Sequence, residues 1–436
     1  MSAALLVVGG IIGSGIFFTP AEVARGLPSA PWMLGVWIAG GVVALAGALT
    51  FAELGAMLPD AGGPYVYLRE AFGPLAAFLL GWLILLMVAS GAIAAVSMAF
   101  GNYLGRFIDI AAVGGPIGVA AITIVVCTAL NILGVKPGAM FANVFSVAKI
   151  AALAALIAAG LALAPTAPLP VVESVPAPAQ LPSLASGLAA AFVAVLFTIG
   201  GWQQTNMVAG EIRDPGRTLP RALAIGVALV VAIYLGANLA YLRALGRDGL
   251  AASTAVAADT ARIMVGPGAA TAITVAAMLS VFGFVNVALL ANARVVFALG
   301  RDGTVLPVAA RVHPRFGSPY VALLMLGGWS LVLLFATQGA LGPLLSGVVF
   351  ADWICFGLAG AAVFKLRRLR PDAPRPYRVP WYPWLPALFV FAAAIGVLSA
   401  WLSAPKMSLA GTAMLAAGAA LYKWRSTAIA TNSSAR

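Results

Sequence analysis

Few side chains in this chain could carry out chemistry. Among its 436 residues are 13 Asp or Glu, two Cys and one His. His313 precedes Pro314 in a basic stretch, while Cys127 and Cys355 lie singly inside apolar runs. None has neighbours at metal-ligand or disulfide-framework spacing, so no metal site and no cofactor are expected. An embedded enzyme would need clustered His, Asp or Glu, and the order of residues provides no such cluster. What remains is a handful of charges at membrane depth, which are functional candidates because an unpaired charge there costs several kcal/mol. Lys149, in FANVFSVAKIAAL, stands about 15 Å into its run at 1.5 Å per residue, too deep to reach an interface easily. Asp352, in VFADWICF, either pairs or faces a cavity. Glu53 (TFAELGAML) and Arg294 lie near the ends of their runs, where pairing is expected.

The second chemical resource is backbone. VVGGIIGSGIFFTP, residues 7–20, places Gly9, Gly10, Gly13 and Gly15 in an apolar run, with Ser14 between the last two. Glycine costs a helix roughly 1 kcal/mol per residue relative to alanine, so this run is expected to break.

Those segments sit in a chain that is 62% hydrophobic and 9% charged, with a mean hydropathy of +1.04. A soluble domain carries about a quarter charged residues. Apolar runs of bilayer-crossing length, about 20 residues each, number about twelve: 3–26, 32–57, 73–103, 116–135, 139–164, 183–210, 219–243, 267–297, 319–338, 341–364, 383–402 and 404–424. The expected class is an all-α, multi-pass membrane protein. The net charge of +12 concentrates in alternate loops, as in Arg213, Arg217, Arg221, Arg301, Arg311, Arg315 and the segment from Lys365 to Arg378. That asymmetry predicts cytoplasmic N- and C-termini and removes nucleic acid as a reason for the charge. No basic residue precedes the first run, so no signal peptide is expected.

The sixth run, GLAAAFVAVLFTIGGWQQTNMVAGEI, repeats the feature of the first: Gly200 and Gly201 in mid-membrane, then Gln203, Gln204 and Asn206. Glycine-broken segments five runs apart point to an inverted-repeat transporter with its site at the breaks. Close helix packing through small residues is the alternative. Unwinding near Ile11 to Gly15 would expose amides suited to a carboxylate. Carbonyls near Gly10 and Ile11, and from Phe197 to Gly200, would suit an ammonium group. A zwitterionic amino acid satisfies both ends.

GGIIGSGIFFTP, PDAGGPYVYLREAFGPLAAFLLGW (59–82), FTIGGWQQTNMVAGEIRDPGRTLPRA (197–222), ARVVFALGRDGTVLP (293–307) and RPYRVPWYPWLP (375–386) occur in order along nearly the whole chain. On these motifs the chain resembles the amino acid–polyamine–organocation superfamily, in particular bacterial relatives of the L-type amino acid transporters. The resemblance implies a LeuT-like fold of about 12 transmembrane helices. Residues 1–164 would form the first five-helix repeat, 183–364 its inverted counterpart and 383–425 two extra helices. It further implies that amides of Gly13, Ser14 and Gly15 meet the substrate carboxylate, and that carbonyls of Ile11, Phe197, Thr198 and Gly200 meet its amine. Phe197 would be the gate closing over substrate. Lys149 matches a lysine that replaces a bound cation in some members, with Ser280 as its counterpart, which argues against sodium coupling.

The activity so implied is sodium-independent exchange of small neutral amino acids across the cell's inner (plasma) membrane. Proton-coupled symport is the alternative; a channel lacks a continuous polar path. No acidic residue falls in the pocket as predicted from sequence, which favours neutral substrates. The animal relatives join an accessory subunit through a cysteine in the loop before the fourth helix. Here that loop, RFIDIAAVGGP, has none, so no disulfide-linked partner is expected.

Overall fold

The computed structural model describes residues 3–13, 15–58, 63–134, 139–163, 183–207, 212, 214–301 and 307–434, and all side chains among them except those of residues 3, 5, 6, 139–149, 207, 298 and 426–434. The described residues form helices and no strands. In chain order these are α1 (Ala3–Ile11), α2 (Thr19–Gly26), α3 (Ala30–Met57), α4 (Pro64–Phe72), α5 (Pro74–Leu83), α6 (Ala89–Leu104), α7 (Gly115–Ile132), α8 (Ala139–Ala162) and α9 (Leu184–Thr198). The second half holds α10 (Gln204–Met207), α11 (Pro215–Ala252), α12 (Val256–Met264), α13 (Pro267–Arg301), α14 (Tyr320–Ala336), α15 (Leu341–Leu369), α16 (Trp384–Ser403) and α17 (Pro405–Ser434).

Each of the twelve apolar runs is helical, and the first and sixth are interrupted. Seven helical spans among the described residues are long and apolar enough to cross a bilayer, the unbroken Pro74–Leu104 among them. Their outer faces carry exposed Ile225, Leu229, Phe391 and Leu398. Such faces suit lipid, where helices satisfy every backbone group internally. Proline at the first turn, where no amide partner is lost, opens α4, α5 and α7. Gly73, at φ +89°, both ends α4 and precedes α5. Between α5 and α6 the chain makes one π turn over Ile84–Val88. There Ser90 Oγ donates to Leu85 O at 2.5 Å, and Trp329 Nε1 donates to Leu86 O at 2.7 Å.

The interrupted first run, α1 and α2, lies against the interrupted sixth, α9 and α10, and glycine sets the separation at three heights. A Cβ on Gly187 would stand 1.9 Å from Gly26 O. One on Gly15 would stand 2.9 Å from Thr198 Cγ2. One on Gly201, whose φ is +108°, would stand 2.3 Å from Gly10 O. Helix breaking and close packing, alternatives in the sequence, therefore coexist: the glycines that interrupt the helices also let their backbones touch.

Gly201→Ala should therefore cost several kcal/mol, since it adds a steric clash to a left-handed strain. Gly9 has open space around it. Gly9→Ala should be neutral or stabilising by up to about 1 kcal/mol. Thermal unfolding of the two purified variants in the same detergent checks the contrast.

Candidate functional site at the paired helix breaks

α1 ends at Ile11, and a short 3-10 turn, Gly15–Phe17, precedes α2. Two backbone groups expected to meet substrate are engaged within the break. Gly13 N donates to Ile11 O at 2.7 Å, and the same carbonyl accepts the Tyr234 hydroxyl at 3.0 Å. A carbonyl has two lone pairs, so Ile11 O is saturated in this conformation. Ser14 lies outside the described residues. Gly15 O accepts from Phe18 N at 3.0 Å and from the Thr19 hydroxyl at 2.9 Å.

Across from it, Thr198 Oγ1 donates to Ala194 O at 2.8 Å and stands 2.7 Å from Thr19 Oγ1. The Thr198 hydroxyl thus belongs to the seam between the two broken helices. Gly200 N donates to Phe197 O at 3.2 Å. Gly201 N is satisfied by Gln203 Oε1 at 2.9 Å, so this side chain supplies what the lost helix turn no longer does. Phe197 is partly buried and meets Phe18 with ring centroids 6.4 Å apart. The expected gate is therefore one of two aromatic residues, one from each broken helix.

Lys149 lies on α8, and nothing of its side chain is among the described residues. Ser280 is on α13, against which α8 packs. Its Oγ is buried without a hydrogen-bond partner among the described residues. One turn along, Phe284 Cδ2 lies 3.9 Å from the position a Gly13 Cβ would take. Residues four apart share a helix face, so Ser280 is on the side of α13 that meets the first break.

The other charged candidates divide. Glu53, 2% exposed, is held by Arg367 through paired contacts of 2.9 and 2.7 Å and by Val379 N at 2.7 Å. Arg375, on the connection after α15, stands 3.7 Å from the same carboxylate. Beside this clamp, Arg370 binds Glu70 at 2.6 Å and holds its carboxyl below the usual carboxylate range. That second contact is present above the range and is lost as pH falls through the lowered pKa. Arg294, by contrast, is exposed and has no ion pair among the described residues. At the opposite end of the bundle, Arg106 grips Asp259 of α12 at 2.9 and 3.1 Å, and Arg25 donates to Ala251 O at 2.9 Å. His313 Nδ1 accepts the Arg315 and Phe316 amides at 3.2 and 3.3 Å, a local turn contact. Cys127 and Cys355 are buried and free.

Tyr234, Thr19 and Phe18 are the site residues that sequence reasoning missed. Tyr234 left only one sequence signal: it is one of two phenols, with Tyr241, in the apolar seventh run, and a phenol needs a partner when buried.

A family model described as an amino acid permease matches residues 1–421. The chain belongs to the amino acid permease family. The permease is 33% identical to the large neutral amino acids transporter small subunit 2 of Mus musculus over 97% of this chain and 79% of that protein. It is 32% identical to the cystine/glutamate transporter of Homo sapiens, over 88% and 76% of the two chains. Against the b(0,+)-type amino acid transporter 1 of Mus musculus the identity is 30%, over 93% and 82%. The permease is thus a multi-pass membrane transporter of the amino acid–polyamine–organocation superfamily and not an enzyme.

Two substitutions test this geometry. Tyr234→Phe removes one neutral hydrogen bond, about 1 kcal/mol, and should change apparent amino-acid affinity about fivefold with little change in folding. Its check is radiolabelled amino-acid binding to the purified protein. Glu53→Ala strands Arg367 and Arg375 and should destabilise by about 3–5 kcal/mol. Its check is the thermal midpoint in detergent, with Arg294→Ala as the unpaired control.

Proposed function

We propose that this permease exchanges neutral amino acids across the cell's inner (plasma) membrane by alternating access, without sodium. The observation that carries the reading is the pair of apposed breaks in the first and sixth runs. Interrupted backbone at membrane depth is tolerated where it lines a cavity, and paired breaks are where such transporters bind substrate. In this reading the site is formed by Ile11, Gly13, Ser14, Gly15, Phe197, Thr198 and Gly200, and Phe197 closes over it together with Phe18. Because Ile11 O is saturated by Tyr234 and Gly13, an arriving ammonium group displaces one of these two donors. Lys149 takes the place of a coupling cation, with Ser280 opposite it, which makes sodium unnecessary. The arrangement is a twelve-helix LeuT-like fold: repeats at 1–164 and 183–364, two further helices at 383–425, and both termini in the cytoplasm. The names of the relatives, which include neutral amino acids and a cystine/glutamate pair, support amino acids as cargo.

Purified protein in liposomes tests this directly. Uptake of radiolabelled alanine or leucine should require internal amino acid, persist when sodium is replaced by choline, and ignore an imposed proton gradient. Accumulation in empty liposomes driven by an inward proton gradient would replace exchange with symport.

A further inference from the structure

One ionisable group at membrane depth is left without a role by the breaks and the end clamps. Asp352 stands in the middle of α15, partly buried, and no hydrogen bond or ion pair joins it to any described residue. Its direction follows from its neighbours four residues away, which share its helix face. Val348 lies against α6: its Cγ2 is 2.7 Å from the position a Gly91 Cβ would take. Phe356 packs its ring 5.9 Å from Phe51 of α3 and 5.9 Å from Trp202, which follows the break after α9. Asp352 lies between these two contacts. Its carboxylate therefore faces the bundle interior, between the start of α6 and the second helix break, about 6 Å along the axis from the level of Phe356. The π turn Ile84–Val88 also packs against α15. Such single-turn departures recur at functional sites.

Among the described residues, no cation answers this carboxylate. α5, α6, α9 and α16, all packed on α15, carry no Lys or Arg, and the single charge on α3 is Glu53, itself an acid committed to Arg367. The basic residues of α4 and α17 lie toward the ends of those helices. A carboxylate kept in the interior of a membrane bundle without a partner costs several kcal/mol, which a bound donor would recover.

We infer that Asp352 is a specificity residue of the transport site, accepting a hydrogen bond from substrate side chains that carry an O–H or N–H donor and so preferring them to apolar isosteres. This rests on the amino-acid transport reading above, and it widens that reading's substrate class from neutral amino acids to those whose side chains carry a donor, charged ones included. Threonine is favoured over valine, and ornithine, with its ammonium, more strongly over norleucine.

The test is competition by these four amino acids against radiolabelled alanine bound to the purified full chain, for the wild type, Asp352→Asn and Asp352→Glu. A hydrogen bond to a charged group supports a discrimination of tenfold or more. The expected result is that the ornithine/norleucine preference falls about tenfold in Asp352→Asn, with norleucine affinity nearly unchanged, and that Asp352→Glu restores much of it. Should Asp352→Asn fail to fold, the same ratio is read in Asp352→Ser, which also removes the carboxylate and should lower it about tenfold. Equal ratios in wild type and variant overturn the inference while leaving transport intact. Failure of the wild type to bind any amino acid overturns the transport reading as well.

Discussion

The constraint on which the molecule depends is contact between the backbones of two interrupted helices. Gly26 meets Gly187, Gly15 meets Thr198, and Gly10 meets Gly201, so the two broken segments are held at atomic separation from one end of the break to the other. A side chain at Gly187 or Gly201 would drive backbone oxygen and carbon together, and no rotamer change relieves that. The same glycines that permit the approach weaken the helices that make it. Each interruption exposes amides and carbonyls that lipid cannot satisfy. The structure answers with side chains, one distant and two local: the Tyr234 phenol on Ile11 O, the Thr19 hydroxyl on Gly15 O, and the Gln203 amide oxygen on Gly201 N. Such contacts, unlike the i to i+4 bonds of a helix, exchange for a ligand without unravelling an element.

Around this seam the charges are arranged by depth. At one end a carboxylate on α3 fastens the end of α15 and the segment that follows it; at the other a guanidinium at the end of α6 fastens α12. Both pairs join elements distant in sequence, so each is a restraint on how far the two halves of the bundle can separate at its own end. Breaking a buried pair leaves an uncompensated charge, which makes such restraints two-state in character. On the proposed cycle, access from either side requires one set of ties to loosen while the other holds. Between them the interior carries Asp352, which has no partner among the described residues.

Much of this was legible in the order of residues. Class, number of apolar segments and the positions of both breaks follow from hydrophobic length and glycine placement, because a bilayer imposes a fixed span and admits only self-satisfied backbone. The helix starts were written in Gly-Pro pairs at 63–64, 73–74 and 115–116. The family could be read from five motifs in order. Pairing was less legible: Glu53 was expected to be satisfied, but Arg367, Arg375 and Val379 lie more than three hundred residues away and share no periodicity with it. Arg294 looked similar at its run's end and turned out exposed.

What the sequence determined by itself, then, is where helices run and where they fail, since both depend on local propensity and on transfer from water to lipid. What only the tertiary structure decided is which partner each freed or buried polar group receives. Tyr234 reaches Ile11 across 223 residues, and Phe18 joins Phe197 as the second aromatic ring above the break. Asp352 could have paired or faced the interior; its place on the Val348–Phe356 stripe of α15 chose the second. A helix's rotation about its own axis is fixed by packing against neighbours, and no local property of this stretch of α15 encodes which neighbours those are.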